Sequence, residues 1–248
     1  MIPRPYLSVV LPVYNENKTV GVLIREISRV IETVIRKPYE IIVVDDASDD
    51  RSVEAAQEAA PATSALRILK ADVRSGQSAA LMRGMTAAAG EFIVTLDADL
   101  QHDPADIPAL LEKMHGYDMI CGIRKRRSDG ALRALCSKIA NTFRNLMTGD
   151  STRDSGCTFR VVRKKCIATL FPLQGHLFGC ESFFHPIFLR SRGFTVGQCE
   201  VSHKPRMSGH SKYRLMRGRL MRGVAACIWA RYILGRIKKR KSREDAGA

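Results

Sequence analysis

What this chain lacks excludes several classes before any motif is read. No stretch of its 248 residues reaches the ~18 uninterrupted apolar positions that a bilayer crossing needs. The longest candidate, Val224 to Leu234, is broken by Arg231. The start of the chain runs almost directly into a strand-like segment, without a basic leader, apolar middle and small-residue cleavage site. The expectation is a chain that is neither secreted nor membrane-spanning. Seven cysteines form no Cys-x-x-Cys pair and are odd in number. That argues for reduced thiols in the cytosol rather than a disulfide framework or a zinc site. A Gly-x-x-x-x-Gly-Lys-Ser/Thr loop is missing, which argues against an NTPase. Gly-x-Gly-x-x-Gly is missing too, which argues against a dinucleotide enzyme.

Positive charge is present in excess. Forty Lys and Arg against 25 Asp and Glu give +15. Residues 1–200 carry 26 basic against 23 acidic side chains, a surplus of three. Residues 201–248 carry 14 basic side chains against only Glu244 and Asp245, a surplus of 12. A basic tail on a nearly neutral body predicts an anionic partner surface. Leu220, Ile228, Trp229, Tyr232 and Ile233 interleave there with arginines, as in interfacial helices. The five-residue sequence RLMRG occurs at 214–218 and again at 219–223. A five-residue step turns a helix by ~140°, so the repeat does not keep one clean face. Phospholipid is favoured over nucleic acid as the partner. The charge is confined to the tail, aromatics are 6% of the chain, and acidic clusters elsewhere would repel phosphates.

Residues 1–122 alternate short apolar runs with helix-length segments. Strands are expected at Tyr6 to Leu11, Glu40 to Val44, Leu66 to Leu69, Glu91 to Leu96 and Asp118 to Cys121. Helices are expected at Asn17 to Arg36, Ser52 to Ala60, Gln77 to Ala88 and Pro104 to Met114. Near-continuous apolar strands separated by helices predict an α/β fold, a mostly parallel sheet covered on both faces. Gly76, Ala80 and Gly84 form a small-residue stripe where a helix presses on that sheet. The second half is less regular: a helix from Ala131 to Met147, a polar turn, and a strand near Cys157 to Val162. A helix at Glu181 to Arg190 and a strand at Thr195 to Val201 follow. No linker divides the chain, so the expectation is one domain over 1–213 with a basic helical tail over 214–248.

In parallel sheets, ligands bind beyond the carboxyl ends of the strands. Pro12-Val13-Tyr14-Asn15-Glu16 follows the first strand, Asp45-Asp46-Ala47-Ser48-Asp49 the second, and Asp97-Ala98-Asp99-Leu100-Gln101-His102 the fourth. Asp97 and Asp99, two apart on extended chain, point the same way. Two carboxylates that close repel unless a cation sits between them. Oxygen ligands from Asp99 and Gln101, with Asp97 near, suit Mg²⁺ or Mn²⁺ shared with substrate phosphates.

These motifs, together with Ser208-Gly209-His210-Ser211-Lys212-Tyr213, resemble the inverting GT-A glycosyltransferases that use nucleotide sugars. More narrowly, the chain is similar to the dolichyl-phosphate mannose synthase group and its bacterial polyprenyl-phosphate glycosyltransferase relatives, from about Leu7 to Arg236. The resemblance implies a Rossmann-like GT-A sheet, a nucleoside-diphosphate sugar donor and a polyprenyl phosphate acceptor at the cytosolic membrane face. It implies that Pro12, Tyr14 and Glu16 cradle the nucleotide and that Val44 and Asp46 lie near its base. Asp97, Ala98, Asp99 and Gln101 take the ribose, metal and diphosphate positions. Arg206, Ser211 and Lys212 match a basic loop closing on the donor, with Lys212 at the leaving diphosphate. Arg124, Arg133 and Ser137 match the acceptor-phosphate group, and Asp154 a further acidic position. The chain departs from many relatives after Gly122, where Ile123-Arg124-Lys125-Arg126-Arg127 replaces Ser-Arg and an aromatic. Many bacterial members also add transmembrane helices, so a peripheral protein is expected here.

The acceptor has a physical argument of its own. A sugar hydroxyl must lose a proton as it attacks, and hydroxyl-acceptor relatives use a late acidic pair for this. A phosphate monoester, with its second pKa near ~6, is mostly dianionic at neutral pH and needs no base, only cations to hold it. Here Gly179-Cys180-Glu181-Ser182 has one Glu and no Asp. The alternative is transfer to a saccharide hydroxyl, with Glu181 or Asp154 as base.

Overall fold

Seven strands form one sheet in the computed structural model, which describes residues 4–60, 65–125, 131–173, 175, 177, 179–205 and 216–246. They are β1 (Leu7–Val13), β2 (Tyr39–Asp45), β3 (Ala65–Lys70), β4 (Phe92–Thr95), β5 (Met119–Arg124), β6 (Arg160–Arg163) and β7 (Val196–Val201). Their order is β3-β2-β1-β4-β6-β5-β7. β1 pairs in parallel with β2 on one side and β4 on the other, and β5 runs parallel to β7. β6 is the exception, antiparallel to both neighbours. The mostly parallel α/β sheet expected from the apolar runs is therefore present.

Alternate residues of the strands feed two cores. Val9 and Leu11 of β1, Ile41 and Val43 of β2 and Val94 of β4 pack on one face with α1 (Val20–Val30) and α4 (Ile107–Lys113). Val10, Ile42, Val44 and Ile93 face the other way, onto α3 (Gln77–Ala87), α6 (Ile167–Leu170), α7 (His185–Ser191) and part of α8 (Met216–Ala246). In α1, buried Val20, Leu23, Ile24 and Ile27 recur at helical spacing. The helix then loosens into a π-turn, Ile31–Ile35, closed by Arg36 in the left-handed region at φ 53°. The remaining helices are α2 (Ser52–Glu58) and α5 (Ala131–Thr148).

Of the expected small-residue stripe, Ala80 and Gly84 are buried on α3, whereas Gly76 precedes the helix and a Cβ there would meet nothing within 4 Å. A Cβ on Gly84 would lie 2.3 Å from Val10 Cγ1 and 2.8 Å from Val44 Cγ2. The helix can approach β1 and β2 closely only because that atom is missing. α8 is not a detached tail over its whole length, since Ala226, Cys227 and Ala230 are buried in the second core. Among the described residues no helix is long and apolar enough to cross a membrane. The six cysteines whose side chains are described, all but Cys136, are free thiols.

Candidate active site

The carboxyl ends of β1, β2 and β4 lie side by side, because β1 is flanked by the other two in parallel. Each strand is followed by a residue in the left-handed region: Asn15 at φ 54°, Ala47 at 62° and Leu100 at 59°. Such backbone persists only where surrounding contacts impose it, and it concentrates at functional sites. The contacts are visible. Asn15 N–H donates to Ser48 Oγ at 3.0 Å, and its Nδ2 to Asp49 Oδ1 at 2.5 Å. Asp49 N–H returns a bond to Asn15 Oδ1 at 3.0 Å, and Glu16 N–H reaches Ser52 Oγ at 2.7 Å. The loops after β1 and β2 are thus tied into one ledge carrying Pro12, Tyr14 and Glu16.

Asp46, buried at the end of β2, takes bonds from Ser75 N–H (2.7 Å), Ser75 Oγ (2.8 Å) and Gly76 N–H (2.8 Å). It thereby fixes the loop that leads from β3 into α3. Gly76 sits at φ +92°, which favours glycine. Two side chains of that stretch enter the site. Arg74 lays its guanidinium 3.8 Å over the Tyr14 ring, and Gln77 donates Nε2 to Asp97 Oδ1 at 2.6 Å. Val44 is buried beneath the ledge, and Ala98 beside the carboxylates.

Asp97 and Asp99 stand together as their spacing required. Burial, and then the neighbouring Asp99 charge, push the Asp97 carboxyl up to about 6. Asp99 is buried and takes the Gln101 N–H at 3.2 Å. Among the described residues no three His, Cys, Asp or Glu side chains gather as a self-sufficient metal cage. Two crowded carboxylates and an amide oxygen still fit a hard divalent cation that borrows further oxygens from a substrate.

The next strand segment brings the entrance of the basic loop to this motif. His203 bridges His102 in antiparallel fashion, and Lys204 N–H donates to Gln101 O at 2.7 Å. Lys204 Nζ pairs with Asp103 at 2.7 Å. Arg206, Ser211 and Lys212 themselves lie outside the described residues, as do the side chains of Arg133 and Ser137. His102 is buried against Phe159 and His203, and burial drives its imidazole down to about 3, so it stays neutral.

The two late carboxylates are both engaged. Arg124 Nε and Nη2 fork onto Asp154 Oδ2 and Oδ1, each at 2.7 Å, in a mostly buried pair. Glu181, 5% exposed, opens a short 3₁₀ turn and takes the Leu177 and Gly179 N–H groups at 3.2 and 3.4 Å. The helix expected from Glu181 to Arg190 begins as this 3₁₀ turn, and α7 starts at His185.

Residues 8–171 match the family model described as glycosyl transferase family 2. The chain belongs to glycosyl transferase family 2. The glycosyltransferase is 37% identical over 226 residues to the undecaprenyl-phosphate 4-deoxy-4-formamido-L-arabinose transferase of Pectobacterium atrosepticum, covering 90% of this chain and 67% of that one. The Aeromonas hydrophila protein of the same name is 35% identical over 212 residues, covering 85% and 63%. Among solved structures, glucosyl-3-phosphoglycerate synthase from Mycobacterium tuberculosis, in complex with Mg²⁺ and uridine diphosphate, superimposes with a TM-score of 0.68 at 18% identity. That match covers 90% of this chain and 79% of that one, and it bears out the GT-A architecture.

Arg74, Ser75, Gly76 and Gln77 were not expected at the site from sequence, although the rule that located the acidic clusters applies to them equally. They follow β3, whose carboxyl end lies on the same edge, but they carry no acidic signature. Arg160 was not expected there for a different reason. Its buried guanidinium donates to the carbonyls of Cys157 (2.8 Å), Ser182 (2.5 Å) and Ser155 (2.6 Å), tying the Asp154 loop to the Glu181 turn. Nothing in a strand-start arginine signals that role.

Proposed function

We propose that this glycosyltransferase moves a sugar, with inversion, from a nucleoside diphosphate to a polyprenyl monophosphate at the cytosolic face of a membrane. The observation that carries the acceptor is the state of the two late carboxylates. Asp154 is forked by an arginine, and Oε1 of the buried Glu181 accepts from two backbone amides. Neither is placed as a proton acceptor for a hydroxyl, whereas a phosphate nucleophile asks for none. The names of the relatives at 35–37% identity point the same way.

In this reading the ledge of Pro12, Tyr14 and Glu16 holds the nucleotide, with Val44 and Asp46 toward its base. Arg74, stacked on Tyr14, adds a cation to that wall. Asp99 and Gln101, with Asp97 near, would hold Mg²⁺ or Mn²⁺, which when bound offsets charge on the leaving diphosphate. Lys212, with Arg206 and Ser211, supplies cationic and hydroxyl contacts to the same diphosphate. Arg124, Arg133 and Ser137 are assigned to the acceptor phosphate, with Asp154 orienting Arg124. The body, 1–213, performs transfer, and the basic helix of 214–248 meets the lipid surface as a peripheral contact.

The test is a donor screen. Purified protein is incubated with Mg²⁺ or Mn²⁺, a short polyprenyl phosphate and radiolabelled UDP- and GDP-sugars. The expected result is label in the organic phase with one donor, abolished by EDTA. Label transferred only to a saccharide would replace this reading by hydroxyl transfer.

A further inference from the structure

An acceptor oxygen reaches a sugar carbon only if the parts of the site that hold them stand in register. A misplacement of about 1 Å costs on the order of a hundredfold in rate. Two adjacent residues in the first turn of α3, Gln77 and Ser78, touch both parts. Gln77 donates Nε2 to Asp97 Oδ1 at 2.6 Å, on the metal side. Ser78 contacts a turn more than a hundred residues further along the chain. Its hydroxyl donates to Gly179 O at 2.9 Å, lies 3.1 Å from Ser182 Oγ and takes the Ser182 N–H at 3.4 Å. Ser78 and Ser182 are both buried, so water does not compete for these bonds.

Both ends of this link are fixed. On one side Asp46 holds the Ser75 and Gly76 N–H groups, and Gly84 seats α3 closely on Val10 and Val44. On the other, Arg160 donates to Ser182 O and Ser155 O, and Arg144 Nη1 donates to Phe183 O at 2.7 Å. The turn borders the Arg124–Asp154 pair: a Cβ on Gly156 would lie 3.7 Å from Phe183 Cε1 and 3.3 Å from Arg124 Nη2. Serine near a helix start commonly caps its own backbone. Here Gly76 is the cap residue and no side chain caps α3, so the Ser78 hydroxyl serves the distant turn instead.

We propose that Ser78 is a positioning residue for sugar transfer, holding the Gly179–Ser182 turn, and with it the surroundings of Arg124, in register with the Asp97 edge to which Gln77 ties the same helical turn. This rests on the reading above that Asp97 and Asp99 mark the donor side and Arg124 the acceptor side. Ser78 touches no reacting group in this account. It acts through the turn.

The full chain is assayed for transfer to a short polyprenyl phosphate, and binding of UDP and GDP with Mn²⁺ is measured separately by calorimetry. Ser78→Ala should lower kcat/KM for the acceptor about tenfold, with diphosphate affinity unchanged. Gln77→Leu should give the opposite split, weakening diphosphate binding about threefold while KM for the acceptor stays put. Should Ser78→Ala fail to fold, Ser182→Ala, which keeps the bond from Ser78 to Gly179, should lower acceptor kcat/KM about threefold at unchanged diphosphate affinity. A variant that is less heat-stable yet transfers like the wild type reduces Ser78 to packing and overturns the inference. A loss of diphosphate affinity that matches the loss of transfer overturns it too. If the wild type transfers only to a saccharide, the polyprenyl phosphate reading falls and the comparison is made with that acceptor. The same split found there keeps Ser78 as a positioning residue.

Discussion

The two halves of this sheet are held together by different means. Up to β5, parallel strands buried on both faces and helices at regular spacing do the work, and two carboxylates, Asp97 and Asp99, crowd together on one edge. Beyond β5 regular structure thins out, and buried arginines take over. Arg124 grips Asp154, and Arg160 gathers three carbonyls. Arg144 and Arg190 converge on Asp150. A guanidinium offers five donors in a fixed fork, so one side chain can satisfy several carbonyls of an irregular chain. The difference separates two uses of charge: like charges crowded at Asp97 and Asp99 stand where the proposed chemistry sits, whereas the pairs that Asp150 makes with Arg144 and Arg190 hold the scaffold.

The strongest way to break that contrast is to remove the hub of the second half. The Asp150 side chain is fully buried between Arg144 and Arg190. Asp150→Ala strands two guanidinium groups, and breaking a single buried pair already costs about 3–5 kcal/mol. Against a typical total of about 5–15 kcal/mol, the variant should be largely unfolded at moderate denaturant. Urea unfolding followed by circular dichroism measures this. A loss no larger than that of the exposed Glu58→Ala would show that the arginine scaffold is ornamental.

The first half should answer in the opposite way. Asp99→Asn removes charge from a crowded pair, so the fold should keep or gain a few tenths of a kcal/mol, while transfer falls by a factor of about 10³ or more. Turnover in the organic-phase assay and the thermal midpoint are read on the same preparation. Substantial turnover with added metal would remove Asp99 from the reacting edge.

The same contrast explains what the sequence could and could not disclose. β1, β2 and β4 announce themselves as apolar runs, and the acidic strings behind them follow from the strand-end rule. The expected helix over Asn17 to Arg36 begins three residues later, at Val20, and its last turn is a π-turn. Periodicity marks the apolar face of a helix but not the hydrogen-bond pattern at its end. The β6 direction was not legible, because four apolar or arginine residues do not encode orientation. Nor were the roles of Arg160 and Arg190, since donation to a carbonyl leaves no pattern in the residues that supply it.

Proton uptake sharpens the comparison at a smaller scale. His185 is buried in the second half near Arg160, and burial, then that cation, lowers its imidazole to about 3. Its usual value is near ~6.5, so between those limits the unfolded chain binds the proton and the native chain does not. Stability therefore falls as pH drops from about 6.5 toward 3, by roughly 2 kcal/mol at pH 5 for one such group. His102, lowered to about 3 in the same sense, adds to the slope. Urea midpoints at pH 7.5 and 5.0 should differ, and His185→Leu should reduce that difference. An unchanged pH dependence would mean that His185 can open to solvent before it is protonated.

The smallest expected effect decides the acceptor. Glu181→Gln keeps an oxygen in place for the Leu177 and Gly179 N–H groups, so the turn should hold and stability should move by less than about 1 kcal/mol. What the substitution removes is any ability to take a proton. A phosphate nucleophile arrives already ionised, so kcat with a polyprenyl phosphate should change less than about threefold. If Glu181 instead serves as base for a hydroxyl, kcat falls by several orders of magnitude while KM for the donor stays put. The first outcome is favoured because Glu181 is buried and its Oε1 already accepts from two backbone amides.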